Sequence, residues 1–266
     1  MPIVAWMPAD ALTSICVAYP DRIEVRGRDL CGDLMGNVSF TEYFHLLLTG
    51  TEPTEEQRYF LDLLLVSIAE HGLTPTNVAA RMTYAAAPDS LQGAVAAGLL
   101  GCGTVVLGTS ELCALLLEEA QARVAAGATP ADVAHDTAIA LRTAGGKMPG
   151  FGHPLHRPVD PRAVRILELS DERGVSGPHV LLARELEPAV AAAWDRPLPM
   201  NVQMPIAAVL LDLGFPASAA KAIPLLARTA GLLAHLAEEQ QNSIGFLMAA
   251  RAEAAIGYGP DMLAAP

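Results

Sequence analysis

The sequence predicts an all-α fold, and three observations carry that reading. Apolar residues recur at helical spacing from Ser39 onward, no alternating strand pattern of any length interrupts them, and alanine supplies much of the apolar content. Alanine is the strongest helix former, and its small side chain lets helices pack closely. Residues 1–38 read as irregular, with short strands expected around Ile23–Val25. Ser39-Phe-Thr-Glu42 is a capping box ahead of Phe44, Leu46, Leu47 and Leu48, and Gly50 supplies the stop. Thr54-Glu-Glu-Gln57 opens a second helix that runs to about His71. Further helices are expected at about 75–86, 89–101, 105–126, 130–144, 160–174, 178–194, 200–213, 216–228 and 229–257.

The strongest breaks in composition are Gly145–Pro161 and Trp194–Met200. Two breaks flanking a helical middle divide the chain into a large helical domain, 1–109 with 216–266, and a small helical domain, 110–215. An active-site cleft is expected between them.

Composition narrows the function. The chain has 266 residues, 52% of them hydrophobic, and a mean hydropathy of +0.34. A formal charge of -12 and a pI near 4.9 argue against nucleic acid or an anionic membrane as partner, since both need a basic face. An anionic small molecule needs only a few local arginines and stays open. Cys16, Cys31, Cys102 and Cys113 form no CxxC pair and no metal spacing, so they read as reduced, mostly buried thiols, and no metal is expected. The N-terminus lacks a basic stretch followed by an apolar run, so a cytoplasmic protein is expected. Gly93–Ser110 carries no charge, but its glycines and lack of basic flanks fit a buried helix or helix pair better than a membrane span.

The segment Gly145–Arg162 concentrates chemistry. It presents His153 and His156, two of only seven histidines, on a Gly/Pro-rich loop that hands over to a helix at Asp160-Pro161. His45, His135 and His179 have no polar company in sequence and read as surface or structural, and His235 as a packed structural histidine.

These residues resemble the citrate synthases, and more closely their short relatives, the citryl-CoA lyases. The resemblance begins at Ile23-Glu-Val-Arg-Gly27 and continues through Leu46-Leu-Leu-Thr-Gly-Thr-Glu-Pro53, Glu70-His71 and Arg81. It is strongest at Pro149-Gly-Phe-Gly-His153 with Asp160-Pro-Arg162. It resumes at Asn201-Val202, Leu213-Gly-Phe-Pro216, Ala227-Arg228 and Gly231–Glu238. It implies a dimer, or a higher homo-oligomer, of two-domain chains that join or cleave a carbon–carbon bond between an acyl-CoA and a 2-oxo acid such as oxaloacetate. Coenzyme A enters as a thioester substrate, and no cofactor is bound permanently. By resemblance, His71 contacts the oxo-acid carboxylate and His153 bonds the ketone or alkoxide oxygen. Arg162 and Arg228 clamp carboxylates, Asn201 joins the substrate site, and Lys147, Met148, Pro149, Gly150, Phe151 and Gly152 form the loop that holds CoA. Guanidinium suits carboxylate, and imidazole suits a developing alkoxide.

Two family positions are altered. The family's second histidine corresponds to Val106, and its catalytic Asp to Gln203. The arginine that a partner subunit supplies in citrate synthases has no match before the chain ends. Gln203 hydrogen-bonds but cannot titrate, so it is expected to hold the thioester or enol rather than move a proton. Asp212 faces away from Gln203 along the same helix, and Glu111 is no better placed relative to Val106. His153, His156 or a bound water are the candidate proton carriers. Two alternatives to a lyase follow: a homologue that binds CoA esters or carboxylates without turnover, and a hydroxy-acid aldolase that needs no CoA.

Overall fold

The computed structural model describes residues 11–259. The reading of the N-terminus falls on 1–10 and that of the missing late arginine reaches into 260–266, so both lie outside the described residues. Contacts divide the chain into a unit ending at Asp62 and a unit beginning at Leu63.

The first unit opens with three short antiparallel strands in sequence order, β1 (Cys16–Ala18), β2 (Ile23–Val25) and β3 (Arg28–Asp29). The strand expected at Ile23–Val25 forms as β2, and the stretch around it, expected to be irregular, adds β1 and β3 to make a small meander, with a two-residue turn at Arg26-Gly27 pairing Val25 with Arg28. A π turn at Leu30–Leu34 follows, its start held by Asp29, whose carboxylate accepts the Cys31 and Gly32 amides. The Ser39–Glu42 capping box forms reciprocally and starts α1 (Phe40–Thr49), which Gly50 ends. Thr54 and Gln57 bond each other's backbone at the start of α2 (Glu55–Ala69). The unit's apolar cluster is small, centred on Val25, Leu34 and Leu46. Cys16 and Cys31 sit on this thin scaffold and are exposed, which corrects the expectation of mostly buried thiols; Cys102 and Cys113 are buried.

The second unit is helical. It carries α3 (Pro75–Ala86), α4 (Leu91–Leu100), α5 (Thr109–Ala125), α6 (Pro130–Thr143), α7 (Pro161–Glu172), α8 (Pro178–Trp194), α9 (Gln203–Asp212), α10 (Ala222–Gln241) and α11 (Gly245–Ala255). Proline occupies the first turn of α3, α6, α7 and α8, where its missing N–H leaves no bond unmade. α3 packs against α4, α10 and α11, and α10 also packs on α4, around Ala80, Ala94, Leu232 and Leu236. Gly98 lets α4 come that close: a Cβ there would lie 2.7 Å from a Leu232 methyl. α9 is buried at every residue from Gln203 to Leu211 and forms the axis against which α5, α7 and α8 pack. A helix apolar on all sides belongs in the middle of a helical body.

Gly93–Ser110 resolves as a helix and a turn, and no helix of the described residues is long and apolar enough to cross a membrane. Three boundaries differ from expectation. α5 starts at Thr109 rather than near 105, because the Gly108 amide reaches back to the Gly103 and Val106 carbonyls and closes a turn. The segment expected as a helix over 216–228 is a short 3-10 turn, Ala217–Ala219, followed by the start of α10. The break expected near 229 falls instead at Asn242–Ile244, since α10 runs unbroken through Gly231. Glu239 sets that break: its Oε1 accepts the Ser243 hydroxyl and the Ile244 and Gly245 amides, which caps α11 from the preceding helix.

Asp212, at the opposite end of α9 from Gln203, has its own structural task. Its buried carboxylate accepts the amides of Gly177, His179 and Val180 at 2.8, 3.0 and 2.9 Å and faces His179 Nδ1, so it starts α8. Burial pushes its pKa up, but the bonds from His179, Val180 and Gly177 outweigh that and hold it below the ordinary aspartate value. Asp212→Ala is expected to cost about 2–3 kcal/mol, since it leaves buried amides unbonded. Denaturant unfolding measures this, and a cost under about 0.5 kcal/mol would contradict the capping role.

Candidate active site

The loop before the histidines is shaped by the segment that leads into α9. Phe151 bridges to Met200, the Gly152 amide donates to Pro199, and the Asn201 amide donates to Gly150. Asn201 also donates its side-chain Nδ2 to the Gly152 carbonyl at 2.9 Å, while its Oδ1 accepts the Gln203 amide. Gly150 has φ +76°, and a Cβ there would lie 2.7 Å from Met204 Cβ, so glycine is required by both conformation and space. Met148 and Phe151 bury their side chains and Lys147 is exposed, so the loop offers a ligand mainly its backbone.

Three imidazoles converge at the end of this loop. His153 Nδ1 accepts the amides of Leu155 and His156 at 3.1 and 2.9 Å. A neutral ring with its Nδ1 lone pair so used carries its hydrogen on Nε2, which is therefore a donor. Burial, then the charge of His156, lowers the His153 pKa; Arg162 and His71 act the same way and Asp160 opposes them. The ring is thus neutral at physiological pH. His156 stacks on it at 4.4 Å between centroids, and His71 lies 5.4 Å from it. The Nε2 atoms of His71 and His156 are 2.9 Å apart, so one hydrogen lies between those rings.

The three ring nitrogens lie within 4.8 Å of one another, a spacing that would also admit a metal ion. His153 argues against that use, because its Nε2 would have to give up its hydrogen while Nδ1 kept its two amide bonds. The geometry suits a donor better than a ligand.

Cationic groups flank the histidines. Asp160, fully buried, caps α7 and binds the Arg162 guanidinium through Nε and Nη2 at 3.0 and 2.8 Å. Arg228 is 2% exposed on α10 and donates Nη1 to Asn77 at 2.9 Å, while its Nε meets no acceptor among the described residues. Burial lowers its pKa, Arg162 adds to that, and Glu70 and Cys102 oppose it. Arg228 is therefore no surface ion pair. It is a buried cation with an unused donor, and a bound carboxylate would satisfy it.

Behind these groups lies a polar network that the sequence did not reveal. Glu70 Oε1 accepts the amides of His71 and Gly72, both at 2.7 Å, and so holds the turn that presents His71. Asn77 links Glu70 Oε1 to Arg228, and His235 pairs with Glu70 Oε2 at 3.0 Å. Arg81 reaches His235, Glu238 and Glu239. His235 is thus a network member rather than an apolar packing residue. The motifs named Glu70-His71, Arg81 and Gly231–Glu238 separately, but nothing in them showed that these residues bond one another, since the partners come from α3 and α10.

The altered positions sit as follows. Gln203 lies at the start of α9, and its Oε1 is buried without a partner among the described residues. Val106 lies in the turn before α5 and offers no titrating group. Glu111 pairs with Lys221 at 3.5 Å. A cavity of about 350 Å³ adjoins His153, lined by Gly152, Arg157, Arg196 and a run of prolines.

The family model described as citrate synthase, C-terminal domain, matches residues 9–247. In structure the chain is similar to citryl-CoA lyase from Hydrogenobacter thermophilus, with a TM-score of 0.77, 28% identity and 88% of each chain covered. It is also similar in fold to ATP citrate lyase from Methanothrix soehngenii, solved with citrate and coenzyme A, with a TM-score of 0.73 at 19% identity over 89% of this chain and 40% of that one. In sequence it is 32% identical to putative citrate synthase 2 of Mycobacterium tuberculosis over 199 residues, 71% of this chain and 50% of that protein. The chain spans about half the length of the curated relatives it matches.

Proposed function

The chain belongs to the citrate synthase family, and on that premise we propose that it is a carbon–carbon lyase. Its substrate is a 3-hydroxy-3-carboxyacyl-CoA such as citryl-CoA, cleaved to an acyl-CoA and a 2-oxo acid. The observation that carries this reading is the state of His153: a neutral ring whose Nε2–H is a fixed donor, stacked among histidines and close enough to feel the charge of Arg162. Such a donor suits an oxygen that becomes an alkoxide and then a ketone.

In the proposed reaction the hydroxyl loses its proton, the oxygen collapses to a ketone, and the carbon–carbon bond breaks. The bonding electrons pass to the thioester enolate, which takes a proton to become the acyl-CoA. His153 donates to the oxygen throughout. Arg162 and Arg228 hold carboxylates, with the free Arg228 Nε as one donor, and His71 orients the oxo-acid end. The Gln203 amide holds the thioester or enol by hydrogen bonds, since it cannot move a proton. The backbone of Lys147–Gly152 holds the CoA arm, and Asn201 serves by fixing that loop. Arg157 and Arg196, lining the adjoining cavity, suit its phosphates.

Three further parts belong to the proposal: a homodimer or higher homo-oligomer with a small-molecule substrate, from the family resemblance; a division into 1–109 with 216–266 against 110–215, from the breaks in composition; and a cytoplasmic location, from the N-terminal sequence. A second reading, binding of CoA esters or carboxylates without turnover, is favoured by the non-titrating Val106 and Gln203.

The test is incubation of the pure protein with citryl-CoA, following oxaloacetate release, together with thermal unfolding in CoA and citrate. The lyase reading expects release and a raised Tm. Stabilisation without release supports the second reading. Neither release nor stabilisation overturns both. The low pKa of His153 adds a direction: lowering pH toward about 6.5, the ordinary histidine value, should leave that donor neutral and in service.

A further inference from the structure

We propose that His71 and His156 form the proton carrier of this site, a single acid–base unit that takes the substrate hydroxyl proton and returns it to the enolate carbon. This rests on the cleavage reading above. That reaction consumes no net proton: one leaves oxygen and one arrives at carbon, so a single unit can serve both steps.

Other titrating groups nearby are already committed. Asp160 is fully buried and bound by Arg162 and the Val202 amide. Glu70 accepts hydrogens from His71, Gly72 and Asn77 and pairs with His235. Asp212 caps α8 and Glu111 pairs with Lys221. His153 has spent its Nδ1 lone pair on two backbone amides, so it donates at Nε2 and cannot accept there. His71 and His156 are left.

Their geometry suits the task. With Nε2 atoms 2.9 Å apart, the neutral pair holds one hydrogen between the rings. The ring that donates that hydrogen keeps a lone pair on its own Nδ1. A proton taken there makes the pair singly positive, and the bridging hydrogen lets both rings share the charge. Stepwise, the hydroxyl O–H breaks and an N–H forms on the pair; the carbon–carbon electrons become the enolate; that N–H proton then forms the new C–H bond. Atoms and charge balance, and the pair returns to its starting state.

The charged and titrating groups around the pair are His153, stacked on His156, the Asp160–Arg162 ion pair, Glu70 at the His71 backbone, and Arg228 near Glu70 and Arg162. Charge on the pair opposes protonation of His153, so the carrier and the oxygen donor keep separate states.

Two measurements on the full chain test this. The first is imidazole nitrogen NMR of the free protein, labelled in histidine. The proposal expects the Nε2 signals of His71 and His156 to show one hydrogen shared between them, with the His71 signals changed in His156→Gln. Two Nε2 signals that share no hydrogen overturn it, whatever the rates. The second is citryl-CoA cleavage by wild type, His156→Gln and His156→Asn. Amides keep a hydrogen bond to His71 but carry no proton, so kcat should fall about 10²-fold or more in both, with KM changed far less. Wild-type-like kcat in His156→Gln leaves the lyase reading standing and overturns the carrier. An inactive wild type overturns the lyase reading, and the carrier with it.

Discussion

His153→Ala is expected to lower kcat for citryl-CoA cleavage by about 10²–10³-fold, the loss measured when one oxyanion donor is removed from a preorganised site. The Nε2–H of His153 gains most strength as the substrate oxygen becomes charged, so kcat should fall more than KM rises. Alanine also removes the Nδ1 acceptor that holds the Leu155 and His156 amides. His153→Asn separates the two effects. Its Oδ1 takes the place of Nδ1 and keeps the turn, but nothing replaces the Nε2 donor. Both variants should unfold within a few degrees of wild type and both should lose turnover. Steady-state rates with oxaloacetate detection decide it, and turnover within about threefold of wild type in either variant would remove His153 from the chemistry.

Glu239→Ala is expected to have the largest effect on stability. Glu239 is buried, bonds Arg81 Nε at 2.6 Å, and accepts the Ser243 hydroxyl and the Ile244 and Gly245 amides. Its loss takes away the buried one of the two carboxylates on Arg81, leaving only the exposed Glu238 to face that buried charge, and uncaps α11 at once. Breaking one partner of a buried pair costs about 3–5 kcal/mol, which for a body of this size lowers Tm by about 10 °C. Glu238 meets the same guanidinium at 2.5 Å but is 60% exposed, so Glu238→Gln should cost under about 1 kcal/mol. Calorimetry of the two variants separates burial from pairing, and similar losses in both would refute the distinction.

The same pair sets a pH direction. Burial raises the Glu239 pKa, but the bonds from Gly245, Ser243 and Arg81 outweigh it and hold the group below its ordinary value. A depressed carboxylate stabilises the fold fully above its unfolded pKa, about 4.3, and that contribution is lost as pH falls through the lower folded value. Glu239→Ala should therefore flatten the acid side of the stability curve.

Much of this was legible in the sequence wherever the controlling group lies within a turn of what it controls. The Ser39–Glu42 and Thr54–Gln57 boxes, and Asp160 ahead of Pro161, placed helix starts because a cap acts on amides two or three residues away. Boundaries failed where the controlling group was less local. Glu239 caps α11 from inside α10, so nothing at 229 or 242 announced the break, and Asp212 starts α8 from more than thirty residues downstream. In the site, His71, His153, Arg162 and Arg228 were named from motifs. What each now does could not be read there: Arg162 is held by Asp160, Asn201 by the loop it steadies, and His71 by a ring 85 residues away. By itself the sequence determined the helical class, most of the helices and the candidate side chains for the site, because propensity, capping and residue chemistry are local properties. Only the tertiary structure decided which nitrogen of His153 carries its hydrogen, which rings share one, and that Arg228 is a buried cation with an unused donor. Those depend on distances between segments far apart in the chain, which are set by how α3, α9 and α10 pack.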